Sequence, residues 1–134
     1  MSDVIDVDWV ALLGSHPKNS TEFRAKVPGW PKSYMTCCGK ISYAFNGTSD
    51  PIAKYDYPDK ISPTGKARAL QLDGQNYLLA VHDVRAYLTQ KYMDPERYGS
   101  QSEFTDATAG RFGVIGFGLM HVDLWQGNGI HGRL

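Results

Sequence analysis

Cys37 and His121 are the residues of this chain whose types and settings could do covalent chemistry. Cys37 stands in Thr36-Cys37-Cys38-Gly39-Lys40-Ile41-Ser42-Tyr43-Ala44-Phe45-Asn46, after a loop that contains Pro28, Gly29 and Pro31. The apolar spacing of Cys37, Ile41, Ala44 and Phe45 predicts a helix that begins at about Cys37 and ends near Asn46. A thiol in a first helical turn meets unpaired backbone N–H groups and the positive end of the helix dipole, and both favour the nucleophilic thiolate. The same N–H groups can stabilise an oxyanion if the thiolate attacks a carbonyl. The competing reading of Cys37 is a small buried hydrophobe. Cys38 lies about 100° round the helix and is taken as structural.

A cysteine nucleophile needs a base, and His121 is the best of the four histidines. The run Met120 to Gln126 reads as a strand with Val122 and Leu124 on one face and His121, Asp123 and Trp125 on the other. Val122 and Leu124 belong in the core, so His121 is expected to look into a cleft or solvent. Asp123 and Trp125 share its face and are candidates for substrate contact. His16, in a loop, and His82, beside a helix cap, read as incidental.

The base needs an orienting partner at its other ring nitrogen. His131, on a strand after the Gly127-Asn128-Gly129 turn, can reach across the hairpin. Asp123 shares the strand, but Cβ atoms two residues apart lie about 6–7 Å from each other, long for a direct hydrogen bond. Asn128 is the weaker option. A zinc site from Cys37, Cys38, His121 and His131 lacks the usual spacer between its cysteines. Gly113 to Gly118 lacks the spacing and the following helix of a phosphate loop. No metal or cofactor is expected.

The elements that must position these residues read as α+β. Asp8 to Gly14 reads as a short first helix, and residues 15–36 as a loop-rich approach. Asn46 to Gly65 is a turn-rich surface excursion. Tyr77 to Val81 reads as a buried strand, and Asp83 caps a helix that ends before Pro95. A loop runs to Gly110; strands at Arg111–Phe117 and Met120–Gln126 and a short one over Ile130–Leu134 complete an antiparallel sheet. With 134 residues, one domain over 1–134 is expected. Fourteen basic residues balance fourteen acidic ones, so nothing argues for a nucleic-acid or anionic-membrane partner. No apolar run approaches the roughly 20 residues that span a bilayer. The start, with Asp3, Asp6 and Asp8, lacks a signal peptide's basic and apolar regions, so synthesis in the cytoplasm is expected. Two adjacent cysteines bridge only with strain and make a poor disulfide framework.

The run from Thr36-Cys37 through Ser42-Tyr43-Ala44-Phe45-Asn46, followed by Pro51-Ile52, resembles the nucleophile helix of the type VI secretion amidase effectors of family four. Asn76-Tyr77 to Leu88-Thr89 resembles that family's strand-then-helix segment, Gly110 to Ile115 its central strand, and His121-Val122-Asp123-Leu124-Trp125-Gln126-Gly127 its histidine strand. The likeness runs in order from about residue 8 to 129. It implies a papain-like, NlpC/P60-type domain that hydrolyses the peptide stem of peptidoglycan, typically between γ-D-glutamate and meso-diaminopimelate. It also implies delivery by a secretion system to the periplasm of a target cell and a cognate immunity protein. Three departures stand out. Lys40 replaces the usual Arg. Gly132 occupies the position, eleven after the histidine, of the family's third catalytic Asp. The chain stops at Leu134, without the family's further segment and its cysteine pair. Related NlpC/P60 enzymes use a His in the third role, which His131 would fill. A catalytically weak or dead cell-wall or partner-binding module, and another Cys-His acyl-transfer enzyme, are the alternatives.

Overall fold

Helix formation is concentrated in the first half of the chain, where cap residues and apolar faces recur at short intervals. The structure, a computed structural model, describes residues 8–53, 69–92, 96–117 and 121–125. Helix α1 (Trp9–Ser15) starts at Asp8, whose carboxylate accepts the Ala11 N–H. Helix α2 (Ser20–Lys26) falls in the expected loop-rich approach. Asn19 caps it by accepting from Glu22 N, and Phe23 is its one buried residue. Helix α3 (Cys37–Asn46) has the expected bounds, and eight of its ten residues are buried.

A tight hairpin follows, β1 (Ala69–Leu72) against β2 (Gln75–Leu78), turned by Asp73-Gly74, both at positive φ. The strand expected over Tyr77–Val81 thus lies earlier, because Ala80 already caps helix α4 (Val81–Lys91). Asp83 is accordingly not the cap; it sits buried in the first turn. Helix α5 (Gln101–Thr108), capped by Ser100, occupies part of the loop expected before Gly110. Strands β3 (Gly113–Phe117) and β4 (His121–Trp125) pair antiparallel, with Val114 opposite Leu124 and Ile115 opposite Asp123. The expected last strand at Ile130–Leu134, the Gly127-Asn128-Gly129 turn and the 54–65 part of the excursion lie outside the described residues. Among the described residues no helix is long and apolar enough to cross a membrane.

Helix α3 is the centre of the packing. One core joins Cys37, Cys38, Ile41, Ala44 and Phe45 to Leu12 of α1, Leu78 of β2, Val81 and Val84 of α4, and Val122 and Leu124 of β4. A second sets Phe23, Val27, Trp30 and Tyr77 against the other side. Buried hydrogen bonds fix the helix along its axis. Ser42 Oγ donates to the Cys38 carbonyl at 2.9 Å and accepts the Leu78 N–H at 2.9 Å. Asn46 donates to the Asn76 carbonyl and accepts from Ile52 N, both at 2.9 Å.

Gly39 is required by contact. A Cβ there would lie 2.4 Å from Phe23 Cζ and 3.0 Å from Trp30 Cη2. Its place in the first turn therefore belongs to aromatic packing. Phe23 is fully buried and wedged edge-on against Trp30 and Tyr43, so it has little room to yield. Gly39→Ala gains about 1 kcal/mol of helix propensity, but overpacking costs about 1–3 kcal/mol. We expect a net loss in urea unfolding; a variant as stable as wild type would remove this account.

Candidate active site

Thr36 precedes the first turn of α3, its hydroxyl 2.6 Å from Ser20 Oγ and its carbonyl accepting the Lys40 N–H at 2.8 Å. Cys37 is therefore the first helical residue, and it is 6% exposed. Strand β4 runs beside it. The Cys37 thiol is lowered from the ordinary range to about 5. The largest cause is a hydrogen bond with the Cys38 side chain, Sγ to Sγ 3.9 Å; burial opposes it, and the Val122 backbone and the hydrogen bond and charge of His121 add to it. Cys38 is pushed upward by donating to Cys37 and by burial, so it stays a neutral thiol. Cys38, expected to be structural, thus also supports the thiolate beside it.

The thiolate fraction sets alkylation rate. A thiol lowered to about 5 is deprotonated above that pH, so wild-type alkylation by iodoacetamide should rise through about pH 5 and plateau well below the free-thiol pKa of about 8.5. Cys38→Ala removes the largest favourable contribution and should move that midpoint upward. An unmoved midpoint would show that Cys38 does not donate.

His121 Nε2 lies 3.1 Å from Asp123 Oδ2, and the His121 side chain helps lower the Cys37 thiol. The expected separation of the two Cβ atoms does not prevent this contact, since side chains on one strand face lean together and jointly span the gap. The expectation that His121 looks into an open cleft is also corrected. Both faces of β4 are covered, with His121 7% exposed and Asp123 fully buried. Asp123 Oδ1 accepts the Leu124 N–H at 2.8 Å. Trp125 is half-buried, its ring edge-on to Phe104 at 4.8 Å and its Nε1 donating to the Thr108 carbonyl at 3.3 Å. His131 and Asn128 lie outside the described residues.

Two further basic side chains lie near Asp123. Lys40, one turn along α3 from Cys37, is 1% exposed; burial lowers its ammonium pKa, opposed by the charges of Asp123 and Cys37. His16, read as incidental, is 4% exposed with Nε2 3.6 Å from Asp123 Oδ1. Lys40 could have been suspected from its helical phase, i+3 from the thiol. His16 carried no sequence signal. Met35, two residues before Cys37, is 65% exposed and supplies an apolar surface next to the thiol's helix start.

The arrangement brings together a buried thiol of lowered pKa, the His121 imidazole that helps lower it, and a carboxylate within hydrogen-bond distance of that imidazole. No protein-family model matches the chain, and no curated protein matches it in sequence. Solved structures do. The effector Tae4 from Salmonella typhimurium, in complex with the immunity protein Tai4 from Enterobacter cloacae, superposes with a TM-score of 0.57 at 20% identity over 94% of this chain and 82% of that one. The effector–immunity system Tae4/Tai4 of Salmonella typhimurium gives 0.57 at 20%, over 92% and 81%. The fold is that of the Tae4 effectors. The α+β class expected from the sequence is the class observed, with two antiparallel strand pairs interleaved among the helices.

Proposed function

We propose that the chain is a single-domain cysteine amidase that hydrolyses the peptide stem of bacterial peptidoglycan at the γ-D-glutamate–meso-diaminopimelate bond. In this reading it is an antibacterial effector, delivered by a secretion system to the periplasm of a target cell and countered by a cognate immunity protein. The observation that carries it is the Cys37–His121–Asp123 constellation at the start of the central helix of a Tae4-like fold. The sequence likeness to the family-four amidase effectors supplies the substrate.

The Cys37 thiolate attacks the amide carbon, forming the C–S bond. The backbone N–H of Cys37, free of intrahelical partners at the first turn, helps hold the oxyanion. His121 gives its proton to the leaving amine as the C–N bond breaks, then takes one from the water that releases the acyl-enzyme. Asp123 stays ionised and holds the imidazole in the working tautomer and orientation. In this reading Asp123 takes the third role, for which the sequence suggested His131 and which Gly132 cannot fill.

The test is mass spectrometry of purified Gram-negative sacculi digested with the wild-type protein. Stems cut after D-glutamate are expected. Unchanged muropeptides from a folded protein would overturn the amidase reading and favour the binding module. Products joined to a new amine, or side-chain deamidation, would redirect it to another Cys-His acyl transfer.

A further inference from the structure

The mechanism uses Cys37, His121 and Asp123 but leaves unused a buried side chain beside Asp123, His16. Its backbone is fixed on both sides. The His16 N–H closes α1 by donating to the Leu13 carbonyl at 3.4 Å, and Pro17 behind it is under 2% exposed. The ring therefore enters the core from a rigid support, and its Nε2 comes to 3.6 Å from Asp123 Oδ1. That oxygen also accepts the Leu124 N–H, while Oδ2 faces His121. A fully buried carboxylate is costly unless surrounded by donors or opposite charge. Here it is met from three elements: β4 through His121, α3 through Lys40, and the turn after α1 through His16.

We propose that His16 is a positioning residue, which holds the Asp123 carboxylate in the rotation that keeps His121 turned toward Cys37. The proposal rests on the reading of Cys37 and His121 as the working dyad. At 3.6 Å the contact is longer than a hydrogen bond, so it acts by filling space and by electrostatic attraction. On that side the carboxylate also accepts the Leu124 N–H. His16 also borders a polar cavity of about 320 Å³ lined by Glu22, Lys26, Tyr43, Asn46 and Gln75. A smaller side chain at position 16 can thus be replaced by water without emptying an apolar core.

The experiment compares wild type, His16→Ala and His16→Gln, each with and without Asp123→Asn. It reads turnover of muropeptide and the pH midpoint of Cys37 alkylation. His16→Ala should lower kcat about tenfold with KM unchanged and move the alkylation midpoint upward. His16→Gln, which keeps an N–H donor, should recover most of both. On the Asp123→Asn background neither should have further effect, because His16 acts through that carboxylate. Wild-type kcat and midpoint in His16→Ala, or an undiminished effect without the carboxylate, would overturn the proposal. The alkylation arm needs no cell-wall substrate, so it decides the role of His16 even if the amidase reading fails. Should the His16 variants not fold, the imidazole nitrogen resonances of His16 are compared between wild type and Asp123→Asn. A shift supports the contact, and unchanged resonances refute it.

Discussion

Cys37→Ala is expected to abolish hydrolysis of peptidoglycan stems, with turnover falling at least about 10⁴-fold, while the protein remains folded. Cys38, the other of the two cysteines, is not expected to form the acyl intermediate in its place. Cys38 is held as a neutral thiol at the second position of the helix, 1% exposed. In enzymes where nucleophile and base act as a unit, loss of the nucleophile alone costs about as much as loss of the whole set, near 10⁶ in kcat. The substitution deletes one sulfur from a site otherwise walled by Ile41, Val122 and Leu124, so its cost in stability should be near that of a small core truncation. Cys37→Ser should be nearly as inactive, because the surroundings that stabilise a thiolate do not bring a hydroxyl into range. Amine release from sacculi, with circular dichroism as the folding control, is the measurement. Cleavage within tenfold of wild type would end the assignment of Cys37 as nucleophile.

Asp123→Asn has the second-largest expected effect. The amide keeps the shape of the carboxylate but offers no negative charge to the imidazolium and can present an N–H where Nε2 needs an acceptor. A loss in kcat of about 10²–10⁴ with little change in KM is expected, the upper figure being that for the orienting Asp of a serine-protease triad. Unlike Cys37→Ala, this change should also destabilise. It leaves Lys40 with less opposing charge in a buried setting, and breaking a buried pair costs about 3–5 kcal/mol. Urea unfolding would measure that loss. An Asp123→Asn protein with full turnover would return the third role to a residue downstream of Trp125.

The thiol and the imidazole were legible because each sits in a periodic run of apolar residues. Helices α2 and α5 were not, since each buries one residue and neither shows an apolar stripe. Their caps were nevertheless written in the chain: Asn19 three residues before Glu22, and Ser100 three before Glu103. The β1–β2 hairpin carried the Asp73-Gly74 turn signal, but the apolar run Tyr77 to Val81 drew the strand toward the helix that follows. Strand β4 was placed within a residue at each end, yet its alternation misled. Two covered faces bury the polar residues along with the apolar ones, so exposure could not be inferred from pattern. The His121–Asp123 contact was set aside on Cβ spacing, which ignores side-chain reach. His16 joins the site only through tertiary packing.

The Ser42 hydroxyl has a consequence for how the site is lost. It ties the Leu78 amide of the hairpin to the carbonyl of Cys38, one peptide from the nucleophile. Exchange of the Leu78 amide with solvent therefore requires an opening that also frees the first turn of α3. Separation of β2 from α3 and loss of the thiolate's setting then form one cooperative event. Proteolytic susceptibility of the hairpin and heat inactivation of the thiol should follow the same temperature curve.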